Sequence, residues 1–256
     1  MSSIFDRLPP AEMRGAVFNV EDKEKFDTAI ALLKDSLFDK GATFFCSDNI
    51  ITWNRNYSFL REPEFQEILG SSSTTSVEKS IIWRTYVVNF FASSCLALEG
   101  DYLECGCFTG HTAAHVSKLL RYSNHRYLLF DRFEWNTENG NTYFKELTDT
   151  GLYSSVASRF KSEPHVSVAK GSLPEALDAF VIDQIAFCHI DLNHPESEYS
   201  TFAKIYPLLQ KFAVVIFDDY GWWGYSGIKN SIDTFLEPYG KKVLELPTGQ
   251  GIYIHT

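Results

Sequence analysis

The sequence predicts an α/β fold: a doubly wound sheet of seven strands, the last antiparallel to the others, preceded by an N-terminal helical cap. Three observations lead there. From about residue 98 onward, short apolar runs alternate with helix-like stretches, the pattern of a parallel sheet wrapped by helices. A glycine-bearing turn follows the first run and opens a helical stretch, the usual start of a ligand-binding βα unit. Near the C-terminus, Pro247-Thr248-Gly249-Gln250 leaves too little chain for a helical crossover, so the runs on either side of it pair antiparallel.

The expected strands are 102–105, 127–131, 166–170, 185–191, 212–219, 243–246 and 251–255. Helical patterns fill the intervals at 112–120, 174–180 and 195–209, the last with a proline in the first turn, where its missing N–H costs nothing. Together 98–256 form one binding domain. Residues 1–97 differ in character: a helix is expected over 21–39, an aromatic-rich stretch covers 51–65, and a second helix is expected over 77–98. Only SSSTTS, residues 71–76, has a linker-like composition. The region is read as a cap on the sheet, because its aromatics need a partner surface to bury against.

Composition sets the outer bounds. A chain of 256 residues with 45% hydrophobic and 22% charged residues can bury a full core and is neither disordered nor of low complexity. Its net charge of −10 argues against a broad phosphate-binding surface, so neither nucleic acid nor an anionic membrane is an expected partner. No apolar run approaches the ~18 residues of a membrane span, and MSSIFDRLPPAEMRG has no signal-peptide core, so a cytoplasmic location is expected. The five cysteines suit reduced thiols better than a disulfide framework. Cys105 and Cys107 lack the second pair that a structural zinc site needs.

Chemistry concentrates in three places. In Leu103-Glu104-Cys105-Gly106-Cys107-Phe108-Thr109-Gly110 a strand meets a glycine turn, which lets backbone approach a ligand and aims helix N-terminal amides at it. The pattern is E-x-G-x-x-x-G rather than the dinucleotide G-x-G-x-x-G; an acid before the first glycine repels pyrophosphate and suits a cationic ligand. The plainer alternative is a turn chosen for tight packing. Asp131 ends the next strand, 27 residues after Glu104, where a doubly wound fold places a ribose-binding acid, although a helix cap or turn Asp reads the same way. Finally, His189-Ile190-Asp191 and Asp218-Asp219 close neighbouring strands and gather three carboxylates at one sheet edge. Like charges so close call for a cation between them, and oxygen donors suit Mg²⁺. Caps and turns are again the alternative, most of all for Asp219, since adjacent strand residues point to opposite faces.

The glycine segment, FDRFEW, KGSLPEAL, HIDLNHPESE, IFDDYGWWGY and LPTGQG together resemble the macrocin O-methyltransferase type of class I S-adenosylmethionine-dependent methyltransferases. The resemblance covers about 84–256 and, weakly, DNIITWNRNYSFL upstream. It implies a Rossmann-like methyltransferase sheet and transfer of a methyl group to a hydroxyl of a sugar, polyol or other small natural product. Glu104, Gly106, Phe108, Thr109, Gly110 and Thr112 would hold the methionine side of S-adenosylmethionine and Asp131 its ribose; Arg132, Ser172 and Asp191 join the cofactor set. The resemblance makes Asp191, Asp218 and Asp219 magnesium ligands.

One departure stands out. Family members often carry a second acid two residues after the metal Asp, as the general base, and here that residue is Asn193. An amide accepts no proton at neutral pH, so His194 beside Asp191 is the preferred catalytic pair, with His189, metal-lowered acidity and a lost activity as alternatives. His111 and His115 have metal-ligand spacing without an acidic partner between them. Trp222 and Trp223 either stack on an acceptor or cover the core. Arg84 either reaches a cofactor carboxylate or forms a surface salt bridge. Two other readings compete: a catalytically degenerate scaffold or binding protein, and a nucleotide-dependent oxidoreductase, which Glu104 disfavours. No motif specifies the acceptor or the oligomeric state, a homo-oligomer included.

Overall fold

The computed structural model describes residues 13–38, 44–55, 57–72, 74–134 and 151–256. The chain divides into two compact units, Met1–Tyr86 and Val87–Thr256.

In the first unit, strands β1 (Met13–Arg14), β2 (Phe45–Ser47) and β3 (Ile50–Thr52) form a small sheet, β1 parallel and β3 antiparallel to β2. Asp48 and Asn49 turn the β2–β3 hairpin with φ of 50° and 58°, the positive values a two-residue hairpin favours and Asp and Asn tolerate. Helix α1 (Lys23–Ser36) starts where the Asp22 carboxylate caps the Lys25 N–H. Helix α2 (Pro63–Gly70) has proline in its first turn. The aromatics of 45–86 bury against one another: Phe59 stacks on Tyr86 at 4.3 Å and meets Trp83 edge-on at 4.9 Å. The helix expected over 77–98 is two helices, α3 (Ser76–Ser80) and α4 (Ile82–Ser94). A capping box at Thr75 and Glu78 starts the first, and the Ser47 hydroxyl takes the Ser80 carbonyl at 2.9 Å, where the helix breaks.

In the second unit the sheet strands are β4 (Asp101–Cys105), β5 (Tyr127–Asp131), β6 (Val166–Lys170), β7 (Ile185–Ile190), β8 (Leu209–Phe217), β9 (Leu244–Glu245) and β10 (Gly251–Ile254). They lie in the order β6-β5-β4-β7-β8-β10-β9, all parallel except β10, which is antiparallel to both neighbours. This is the doubly wound sheet with one reversed strand that the pattern predicts. From β4 the chain builds outward through β5 and β6, then returns to place β7 on the other side of β4. The C-terminal ends of β4 and β7 therefore flank the topological switch point, where such sheets open a crevice.

Among the described residues, helices α5 (His111–Leu120), α6 (Leu152–Arg159), α7 (Pro195–Ile205) and α8 (Ser226–Leu236) accompany these strands. Two expected helices differ. Residues 174–180 contain a 3-10 turn, Glu175–Ala179, in which Leu177 and Phe180 each bond three residues back. The helix expected over 195–209 ends at Ile205 and tightens into a 3-10 turn at Tyr206–Leu208, because Pro207 has no N–H to continue the ladder. β8 accordingly begins at Leu209, earlier than the pattern implies.

Alternation along the strands sorts the sheet's two faces. Leu103, Cys105, Cys188, Ile190, Val215 and Phe217 bury against Phe202 and Ile205 of α7 and Ile228 and Ile232 of α8. On the opposite face lie Tyr102, Glu104 and His189, and the Tyr102 hydroxyl donates to the Ala92 carbonyl of α4 at 2.9 Å. All five cysteines are buried free thiols. Among the described residues no helix is long and apolar enough to cross a membrane.

Candidate functional site

The switch point is closed by backbone. Asp191 N–H donates to the Cys105 carbonyl at 2.8 Å, and Gly106 sits so close behind that a Cβ would lie 1.8 Å from the Asp191 carbonyl oxygen. With φ at 94°, only glycine fits here without strain. Gly110, at φ 72°, caps α5, and a Cβ there would meet the Phe160 ring at 2.8 Å. Between the glycines, Phe108 takes a positive φ and donates its N–H to Asp131 Oδ2 at 2.9 Å. Thr109 lies in this loop and Thr112 in the first turn of α5, both partly exposed.

Asp131 has two local tasks. Its Oδ1 accepts the Phe133 N–H at 2.7 Å, the turn-forming role open to any Asp, while Oδ2 reaches back to the glycine loop. Burial pushes its carboxyl pKa up, and the two N–H donors oppose that shift. Arg132 follows it, exposed. Ser172, after β6, is also exposed, and its carbonyl accepts the Ala176 N–H at 2.8 Å.

Beneath the loop runs a chain of buried polar groups. Tyr127 donates its hydroxyl to Glu104 Oε2, and Glu104 Oε1 lies 4.0 Å from His189 Nδ1. His189 Nε2 is 3.3 Å from Asp218 Oδ1, which also accepts from Gln250 Nε2 at 2.9 Å. Burial pushes the Glu104 carboxyl pKa up; the neighbouring imidazole and the Tyr127 hydroxyl pull it down. His189, expected as a packed strand residue, is packed and hydrogen-bonded at once.

Beyond β7, Asn193 adopts φ 56° and donates its side-chain amide to Asp191 Oδ1 at 2.9 Å. His194 is the N-cap of α7: its Nδ1 accepts the Ser197 N–H at 3.4 Å, and the ring is exposed. Glu198, which the sequence reading passed over, is fully buried on α7. Its Oε1 accepts the Leu192 N–H at 3.4 Å, and its Oε2 has no partner among the described residues. Burial, and then the charge of Asp219, push its pKa well above the carboxylate range. The signal was its spacing: Glu198, Phe202 and Ile205 form one helical stripe.

Among the described residues, no three His, Cys, Asp or Glu side chains converge where they could hold a metal ion. Asp191, Asp218 and Asp219 thus end neighbouring strands as expected, but Asp191 Oδ1 faces the Asn193 amide and Asp218 Oδ1 faces Gln250 and His189. His111 and His115 stack edge-on at 5.1 Å, both buried on α5. Trp222 packs beside Gly249 and Gly224, whereas Trp223 is 93% exposed. In the first unit, both Asp48 carboxylate oxygens engage Arg84, at 2.7 and 2.9 Å, with Asp48 buried: a buried bidentate pair rather than the surface or cofactor contact considered from sequence.

Residues 103–220 match the model of a family described as a methyltransferase domain. No match is found among curated proteins. Among solved structures, the O-methyltransferase NovP is similar at a TM-score of 0.59 and 18% identity, over 71% of this chain and 82% of that one. The calicheamicin methyltransferase CalS11 gives 0.56 and 16%, over 75% and 93%. An O-methyltransferase from Bacillus cereus, in complex with SAH, gives 0.52 and 12%, over 88% and 97%. The fold is the Rossmann-like one of these methyltransferases.

Proposed function

We propose that this protein is an S-adenosylmethionine-dependent O-methyltransferase that acts on a hydroxyl of a sugar, polyol or other small natural product. The observation that carries the reading is the switch point itself. Gly106 is held against the Asp191 backbone, Glu104 lies one residue before the end of β4, Asp131 ends β5, and this segment lies within the methyltransferase-domain match. Acids at these strand ends suit a ligand that joins a cationic sulfonium to a ribose. The O-methyltransferases among the fold relatives support transfer to oxygen.

The residues present fit the cofactor. The loop from Gly106 to Gly110 leads into the N-terminus of α5, whose amides suit the carboxylate of the methionine end, and Asp131, whose oxygens each retain a lone pair, can accept from ribose hydroxyls. When bound, S-adenosylmethionine supplies an electrophilic methyl group. The protein's own tasks are to orient the acceptor hydroxyl and remove its proton. Asn193 holds Asp191 through its amide, so it serves as a positioning group where a base would otherwise stand. His194 is exposed and next to this pair, and Nδ1 is the nitrogen whose lone pair accepts the long cap bond at 3.4 Å. No group of three ligating side chains converges among the described residues, so no step is assigned to a divalent ion.

The test is to incubate the protein with methyl-labelled S-adenosylmethionine and a panel of sugars, polyols and phenols, and to follow label by mass spectrometry. Transfer to oxygen of a hydroxylated acceptor, unaffected by a chelator, is expected and should fall at least about tenfold in His194→Ala. Cofactor binding without transfer to any acceptor would instead favour a binding protein.

A further inference from the structure

The turn between β9 and β10 has no role in the chemistry above, yet it is tied to the edge of the crevice at several points. Gly221 N–H donates to the Gly249 carbonyl at 2.7 Å, and a Cβ on Gly251 would stand 2.6 Å from the Tyr220 ring. The most specific tie is Gln250. Its side chain is fully buried, its Nε2 donates to Asp218 Oδ1 at 2.9 Å, and its Oε1 accepts from the Thr248 hydroxyl at 3.0 Å.

The two bonds agree on one orientation of the amide. A side-chain amide presents a donor at one end and an acceptor at the other, and a flip would aim its oxygen at a carboxylate. Thr248 Oγ1 is 3.0 Å from Gln250 Oε1, and it also receives the Gln250 backbone N–H at 3.4 Å. With that backbone N–H already donating to it, the hydroxyl is free to donate its own proton to Oε1. An ionised Asp218 only accepts, so the amide points its nitrogen there, and its oxygen is left to accept from the Thr248 hydroxyl. Asp218 in turn stands 3.3 Å from His189 Nε2, and residues 188–190 of β7 pair in register with 215–217 of β8, so the ring cannot drift away.

We propose that Gln250, locked by Thr248, is a positioning residue that holds Asp218 as the hydrogen-bond acceptor of His189 and so commits this acid to protein donors rather than to a metal ion. Its catalytic meaning rests on the methyltransferase reading; the geometry does not. Asp218 Oδ1 then receives two N–H donors, and His189 keeps its Nδ1 turned toward Glu104. A chain of side chains thus links the C-terminal turn to the cofactor-side acid across β8, β7 and β4.

The experiment is proton NMR of the full chain labelled with [15N]histidine, in which an imidazole N–H held against a carboxylate exchanges slowly and is seen as a downfield signal. The His189 signal is assigned by its loss in His189→Gln. It should be present in the wild type and in Thr248→Ser, shifted or broadened in Thr248→Val, and lost in Gln250→Leu, with thermal unfolding showing each variant folded. Thr248→Val is nearly isosteric and keeps the test open if Gln250→Leu fails to fold. In parallel, Mn²⁺ titrated into the wild type should show no saturable binding. A His189 signal unchanged in both Gln250→Leu and Thr248→Val, or one equivalent of Mn²⁺ bound and then lost in Asp218→Asn, would overturn the proposal. Titration with S-adenosylhomocysteine separates the two levels: absence of binding in the wild type removes the methyltransferase reading and leaves the NMR result to decide this one.

Discussion

The two faces of the central sheet are built from the same strands and do opposite work. On one, Leu103, Cys105, Cys188, Ile190 and Phe217 meet α7 and α8 in an apolar core. On the other, one residue along each strand, Glu104, His189 and Asp218 form a buried polar chain closed by Tyr127 and Gln250. Each apolar side chain stabilises by the area it removes from water, roughly 25 cal/mol per Å². Each polar one is tolerated only because its neighbour across the ladder supplies a partner. Strand ends with period two can therefore support a fold on one side and hold ionisable groups in fixed geometry on the other.

The sharpest way to break this division is where both faces end. Gly106→Ala would force a Cβ into the Asp191 carbonyl at a φ of 94°, which adds backbone strain of about 1–3 kcal/mol to a direct clash. Loss of both stability and ligand binding is expected, read by urea unfolding and calorimetry. On the apolar face, Phe202→Ala removes a fully buried ring and should cost about 3–5 kcal/mol while the folded fraction binds ligand as before. An equal loss of ligand affinity there would mean that the faces are not separable.

On the polar face the balance reverses. Asp131→Ala removes two backbone N–H contacts and the proposed ribose acceptor, so S-adenosylhomocysteine affinity should fall about 10–100-fold, with a smaller loss of stability. The least effect is expected from Glu198→Gln, which tests the carboxyl that α7 carries into the apolar side. Its folded pKa is raised above the reference value of 4.5, so folding takes up a proton in the window between the two. Stability is full below that window and falls as pH rises through it. The variant should match the parent near pH 4 and exceed it by about 1 kcal/mol near pH 8 in thermal unfolding. A parent that gains stability from pH 4 to pH 8 relative to Glu198→Gln would contradict the assignment.

Much of this architecture is legible in the chain. Seven short apolar runs bounded by turn residues became seven strands, and Gly106 and Asp131 lie at strand ends as the spacing predicts. What the pattern does not carry is pairing. Glu104 and His189 lie opposite each other only once β4 and β7 are in register, and Gln250 reaches an acid 32 residues away. Arg84 meets Asp48 at a separation of 36. Helix ends suffered for a local reason: Pro207 and the Ser47–Ser80 contact interrupt patterns whose apolar periodicity continues past them. The acid cluster shows the limit most clearly, because three carboxylates that end neighbouring strands take their meaning from the side chains facing them. In this protein those include Asn193, Gln250 and His189.

The most direct test of the central claim is calorimetric titration of the purified protein with S-adenosylhomocysteine, with Mg²⁺ and again with a chelator. Saturable binding of the same affinity in both conditions, weakened in Asp131→Ala, is the predicted result. No binding in either condition would contradict the methyltransferase reading, and binding only with Mg²⁺ would contradict the account of its acids.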